Sequence, residues 1–367
     1  MENGNSLGAV KQADAEESAF REISSWPGYA PTPLVSLNGL ARRLGVANVW
    51  CKDEGPRFGL GSFKAVGGAY AVFRHLARKL ESRGHARPST LAELRDPKYR
   101  AALGEITVTC ATAGNHGRAV AWGAQLCGCS SAVFIPATAG DARAAALAAL
   151  GADVITVRGN YDVALGAAIV AAAENEWDLV SDTSAGASDA IAADVMAGYG
   201  VIFREVAAAL PPGEELTHVF VQAGVGSLAA AACSFASRIA ERAPAVVVVE
   251  PDSAACLAAS AKAGALTSIE TPIDTIMGGL ACAAPSPLAW KAIAPVARFY
   301  ISISDDATRD AMKLLARGDD GDSPVLSGPS GAAGAAGVIS ACANAAKRDQ
   351  LELNERSSVL VISSELA

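Results

Sequence analysis

At 367 residues the chain is long enough for two domains sharing a large core, and its 51% apolar content, carried by alanine and glycine far more than by aromatics (5%), suits closely approaching helices. The net charge of −8, with lysine and arginine scattered instead of gathered into a stripe, excludes a nucleic-acid partner. Alanine-rich stretches such as 228–236 fall short of the roughly 20 apolar residues that cross a bilayer, so no membrane partner is expected.

The chain opens on twenty polar residues with no apolar segment and no cleavage pattern, read as a flexible leader of a cytoplasmic protein. From about residue 48, apolar β-branched runs alternate with longer alanine-rich helical stretches, the pattern of a mostly parallel α/β fold. The expected strands are 48–54, 105–110, 131–136, 152–158, 218–223, 245–251, 298–303 and 358–364, enough for two sheets flanked by helices. The runs 209–218 and 317–324 read as loops.

Chemistry concentrates at three places. The first is Lys64 in GSFKAVGGAY, between Phe63 and Ala65. A lysine forms an imine only where its amine can be deprotonated, which calls for partly desolvated surroundings without a competing anion. Read in isolation, Lys64 is a solvated lysine at a helix start. The second is the turn after strand 105–110, Thr112-Ala113-Gly114-Asn115-His116-Gly117, and the third is Gly224-Val225-Gly226-Ser227 after strand 218–223. A strand, a glycine turn and a helix start gather backbone N–H groups and the positive helix end around an anion. The stretch GVGSLA also fits a G-x-G-x-x-A dinucleotide fingerprint, with Glu250 as a ribose ligand, but that reading leaves Lys64 and the 112–117 turn without a role.

Eight cysteines without a C-x-x-C pair, and four histidines not spaced as ligands, argue against a metal site and for reduced thiols.

In order along the chain, YAPTPL (29–34), RFGLGSFKAVGG, TAGNHGRAVAW, SDTS (181–184), QAGVGS, VVVEP, MGGLACAAPS (277–286) and SGPSGAAG resemble the pyridoxal-phosphate enzymes of the tryptophan synthase β fold type, fold type II, and within them the diaminopropionate ammonia-lyases. The resemblance implies a large cofactor domain from 1–75 and 199–367, a small domain from 76–198, and a homodimer. It makes Lys64 the lysine that carries the cofactor, Asn115 the partner of its ring hydroxyl, and Gly224, Val225, Gly226 and Ser227 the phosphate cradle. Ser364, or else Ser363, would face the pyridine nitrogen; a neutral hydroxyl there makes a weaker electron sink than an aspartate would, which favours elimination. Asp182 would be a catalytic carboxylate that contacts the substrate's ammonium group, although it reads equally as a helix cap or turn aspartate. Thr112, with Ala113, Gly114 and their N–H groups, would hold the substrate carboxylate, and His116 would support that loop. Cys256 and Cys282 fall where some of these ammonia-lyases carry a disulfide.

One departure stands out. The family's ammonia-lyases carry an aspartate before G-N-H that acts as base on the D-substrate, where this chain has Ala113. The expectation is an L-specific ammonia-lyase on 2,3-diaminopropionate or a close β-substituted amino acid, yielding pyruvate and ammonia. A serine, threonine or 3-hydroxyaspartate dehydratase on the same fold is the alternative, and a non-catalytic or NAD-binding protein the reading of another class.

Overall fold

A computed structural model describes residues 3–112, 114–181, 189–239, 242–270 and 272–367. The strands are β1 (Leu34–Ser36), β2 (Asn48–Asp53), β3 (Thr107–Ala111), β4 (Ser130–Pro136), β5 (Asp153–Val157), β6 (Asp178–Leu179), β7 (His218–Gln222), β8 (Ala245–Pro251), β9 (Phe299–Ile303) and β10 (Ser358–Ser363). They form a six-stranded sheet of order β1-β2-β10-β7-β8-β9 and a four-stranded sheet of order β5-β4-β3-β6. Only the β1–β2 pair is antiparallel.

The chain divides into two compact units, 1–13 with 30–63 and 202–367, and 14–29 with 64–201. Residues 64–75 thus belong with the second unit, whereas the sequence reading grouped them with the C-terminal half.

In the six-stranded unit, β7, β8 and β10 are buried at every position. That explains their nearly unbroken Val/Ile/Leu/Phe runs, because a central parallel strand has no solvent face. The helix Pro329–Cys342 accounts for part of the alanine and glycine bias. A Cβ at Gly334 would come within 2.8 Å of Phe220 O, and one at Gly337 within 2.8 Å of Val249 Cγ2. Helix backbone therefore rests directly on the sheet over Phe220, Val249 and Val361. Each such large apolar side chain contributes about 1.5–3 kcal/mol by leaving water.

In the four-stranded unit the helices Lys64–Ser82 and Asn115–Cys127 pack through small residues: a Cβ at Gly68 would lie 2.7 Å from Ala119 Cβ, and one at Gly123 2.7 Å from Ala69 Cα. Contacts advance in the same direction along both helices, so their N-termini lie at the same end. The helix Tyr161–Asn175 buries Ala164 and Ala168 beside Phe134 and Ala111.

The leader lies in a helix, Asn3–Ile23. Within the second unit its C-terminal part is anchored by Glu22, whose Oε1 accepts from Trp26 Nε1 (2.8 Å) and Leu91 N (2.7 Å). Among the described residues no helix is long and apolar enough to cross a membrane.

Candidate active site

A buried ionic cluster lies in the six-stranded unit. Arg57 Nη1 and Nη2 donate to Glu205 Oε1 and Oε2 at 2.7 and 2.8 Å, while its Nη2 and Nε donate to Glu54 at 2.8 and 2.9 Å. Lys52 Nζ donates to Glu205 Oε2 at 2.5 Å and Thr32 O at 2.7 Å, and Thr32 Oγ1 donates to Glu54 Oε1 at 2.6 Å. Burial pushes the Glu205 carboxyl up, but the bonds and charges of Arg57 and Lys52 outweigh it and hold the group below the usual carboxylate range. Beyond the clamp, Phe58, Gly59 and Gly61 take left-handed φ of 51°, 70° and 75°, a tight coil that glycine permits at two of the three positions.

In the four-stranded unit Lys64 is the first residue of its helix, and its Nζ lies over the Tyr199 ring, 5.8 Å from the centroid. Tyr199 reaches this place through two glycines: a Cβ at Gly67 would meet Tyr199 Cε1 at 2.3 Å, and one at Gly198 would meet Val66 O at 2.0 Å. The helices beginning at Lys64 and Asn115 present their N-termini at the same end of this unit.

The loop between β3 and Asn115 is shaped by Thr112. Its N–H donates to Phe134 O at 2.9 Å and its hydroxyl to Gly114 O at 3.0 Å, while Oγ1 accepts from Gly114 N (2.9 Å) and Gly117 N (3.2 Å). The Thr112 hydroxyl and the Gly114 N–H are thus bonded inside the turn, and the Thr112 N–H is bonded to β4. His116 Nε2 lies 3.0 Å from Val180 O, tying the helix start to the end of β6. A cavity of about 180 Å³ opens beside this loop, and among the described residues its charged lining is two arginines, Arg118 and Arg143. Arg118 Nε is buried without a hydrogen-bond partner among the described residues. Sequence reasoning passed over both arginines. Ala113 and Asp182 lie outside the described residues.

At the C-terminal edge of the six-stranded sheet, β7 runs through Gly224 and Gly226 into the helix Ser227–Ser237. Gly226 has φ 103°, and a Cβ at Gly224 would lie 2.9 Å from Cys282 Sγ and 3.0 Å from Gly279 O. Both positions therefore require glycine. Val225 O accepts from Ser286 N at 2.8 Å, and Ala230 N bonds Gly226 O at 2.8 Å, closing the helix after its first turn of N–H groups. On the neighbouring strand Ser364 is buried, its Oγ accepting from Gln222 Nε2 at 2.9 Å. Ser363 Oγ instead donates to Ser327 Oγ at 3.0 Å. Cys256 and Cys282 are both thiols, and Cys256 Sγ is 3.7 Å from Gly224 O.

Glu250 has no room for a ribose. It is fully buried, and its Oε1 and Oε2 accept from Leu257 N and Ala258 N at 2.8 Å each, capping the helix Cys256–Ala263. The dinucleotide reading fails on this point. No group of three or more potential metal ligands occurs among the described residues.

In the six-stranded unit, glycine positions that a Cβ would fill, a helix start behind them and a buried serine just past the next strand fit pyridoxal phosphate, and the four-stranded unit by itself carries a lysine on an aromatic face. The chain matches the profile of the pyridoxal-phosphate dependent enzymes over residues 25–365 and belongs to that family, with the α/β architecture of fold type II. It is 35% identical over 345 residues to diaminopropionate ammonia-lyase of Escherichia coli (strain K12), which covers 92% of this chain and 85% of that one. Its fold is similar to the crystal structure of the Escherichia coli diaminopropionate ammonia lyase in complex with D-serine, with a TM-score of 0.87 and 31% identity over 96% of this chain and 89% of that one. The same enzyme in complex with an aminoacrylate-PLP azomethine reaction intermediate gives a TM-score of 0.84 and 32% identity over 96% and 88% of the two chains.

Proposed function

We propose that this chain eliminates the β-amino group of L-2,3-diaminopropionate, consuming one water and releasing pyruvate and two molecules of ammonia. The observation that carries the reading is the similarity to the Escherichia coli ammonia-lyase over 92% of the chain. The order of Lys64, the 112–117 loop, the 224–227 turn and Ser364 agrees with it.

The cofactor, when bound, supplies the sink for the electrons left on Cα as its proton departs. Lys64 would carry it, and a neutral Lys64 Nζ would accept the Cα proton. The N–H groups at Gly224, Val225, Gly226 and Ser227 hold the phosphate, Asn115 holds the ring hydroxyl, and Ser364 donates to the ring nitrogen. The substrate carboxylate lies at the start of the helix Asn115–Cys127, where Arg118 and Arg143 make the cavity cationic. Ala113, Gly114 and His116 belong to the turn that frames it, and Asp182 takes the substrate's ammonium group. The six-stranded unit is the cofactor domain, and the enzyme works as a cytoplasmic homodimer.

The test is pyruvate and ammonia release from L- and D-2,3-diaminopropionate, L-serine, L-threonine and L-threo-3-hydroxyaspartate at equal enzyme concentration. Turnover of the L-diamine above the rest supports the reading. Activity confined to hydroxy amino acids would make the chain a dehydratase. Lys64→Ala is expected to lose the borohydride-sensitive visible absorbance of the loaded enzyme; a wild-type chain that never acquires such a band would end the cofactor assignment.

A further inference from the structure

Gln222 closes β7 beside the serine that follows β10, and both side chains are buried, 2% and 3% exposed. Its Nε2 faces three oxygens: Ile362 O and Ser364 Oγ at 2.9 Å and Gly331 O at 3.2 Å. Two of these are carbonyls, which only accept. Exchanging the amide's oxygen and nitrogen would set carbonyl against carbonyl, so the orientation is dictated by the surroundings. The opposite end of the amide confirms the asymmetry, because Gln222 Oε1 is buried without a hydrogen-bond partner among the described residues.

An amide nitrogen cannot accept a hydrogen bond. Ser364 can therefore receive a hydrogen from Gln222 but never give one back, and its own O–H hydrogen is left for another acceptor. Ser363 has no such role, being bonded to Ser327 Oγ and to Asp53.

We propose that Gln222 is a positioning residue that makes Ser364 an obligate donor to the pyridine nitrogen and so keeps that nitrogen unprotonated. The inference rests on the proposed placement of Ser364 at the ring. A protonated nitrogen would require Ser364 Oγ to accept, stranding the serine hydrogen in a buried site. Without the Gln222 amide, Ser364 Oγ loses the donor that occupies it, and its lone pairs become available to a ring N–H. The amide thereby selects elimination over reactions that need a strong electron sink, such as transamination.

The experiment is ¹⁵N NMR of holoenzyme loaded with ring-¹⁵N pyridoxal phosphate, followed against pH for wild type, Gln222→Met and Gln222→Asn, with thermal midpoint and bound cofactor measured on each. The expected result is an unprotonated nitrogen in the wild type and an apparent ring pKa raised by about one to two units in the variants, together with accumulation of pyridoxamine phosphate during turnover. A protonated nitrogen in the wild type overturns the proposal with no variant needed. Loaded, folded variants with an unchanged ring pKa overturn it equally. A wild-type chain that takes up no cofactor would instead overturn the proposed function.

Discussion

Arg57 and Glu205 meet through two parallel hydrogen bonds, Nη1 to Oε1 at 2.7 Å and Nη2 to Oε2 at 2.8 Å, although 148 residues separate them in the chain. Both side chains are almost fully buried. The guanidinium spans two carboxylates at once, a geometry no point charge reproduces. Arg57→Met leaves Glu54 and Glu205 buried without the guanidinium that spans them, with Lys52 as the remaining counter-charge among the described residues, and is expected to destabilise the fold by about 3–5 kcal/mol. Denaturant midpoints read this directly. A loss under about 1 kcal/mol would mean that water or neighbouring donors replace the arginine.

Gly198→Ala tests the close approach that admits Tyr199. The new Cβ would sit 2.0 Å from Val66 O, a backbone atom that cannot swing aside. The expected cost is about 1–3 kcal/mol, with a changed absorbance of the Lys64-linked cofactor. Gly104→Ala has nothing within 4 Å of its Cβ and serves as the neutral control. Equal thermal midpoints for the two variants would refute the packing argument.

Glu250 makes stability depend on pH. Burial raises its carboxyl from 4.5 to about 7, against the opposing bonds from Leu257 and Ala258. The folded state therefore holds a proton that the unfolded state has released, and stability falls as pH rises from about 4.5 through about 7. The full effect is on the order of 3 kcal/mol. Unfolding free energies between pH 5 and 8 should show this slope in the wild type and a flatter one in Glu250→Gln, each normalised to its own value at the acid end. Parallel slopes would exclude the assignment.

Ala113→Asp is expected to add turnover of D-2,3-diaminopropionate while L-turnover changes by less than about tenfold, because Lys64 still serves the L-face. Coupled pyruvate assays on both isomers decide it. Strong D-turnover in the wild type would show that another residue already serves that face.

Cys256 and Cys282 are expected to titrate as thiols. Burial pushes the Cys256 thiol well above the ordinary range, so it should react slowly in the native protein. Under denaturing conditions without reductant all eight cysteines should label. A count of six would establish the bridge instead.

Much of the fold was legible because it is written in local periodicity. All eight expected strands occur, and runs such as 245–251 announce fully buried parallel strands by composition alone. The two strands that escaped, β1 and β6, have three and two residues, too short to carry a period. The glycine turns were readable for the same reason: a left-handed Gly226 before a small-residue helix is a local necessity. The helix in the leader was not, because Glu22 is anchored by Leu91, 69 residues away.

What the sequence determined by itself was therefore the α/β class, the order of the chemical pieces and the glycines that backbone geometry demands. Tertiary structure alone decided which distant groups finish each piece. Tyr199 comes to the face of Lys64, and Gln222 to Ser364 across 142 residues. The Gln222–Ser364 pairing follows from β10 inserting between β2 and β7, a long-range strand order that no neighbouring residues encode. Thr112 shows the same limit within a single loop: the resemblance implied its role, but only the tertiary structure shows its N–H bonded to Phe134 O and its hydroxyl to Gly114 O.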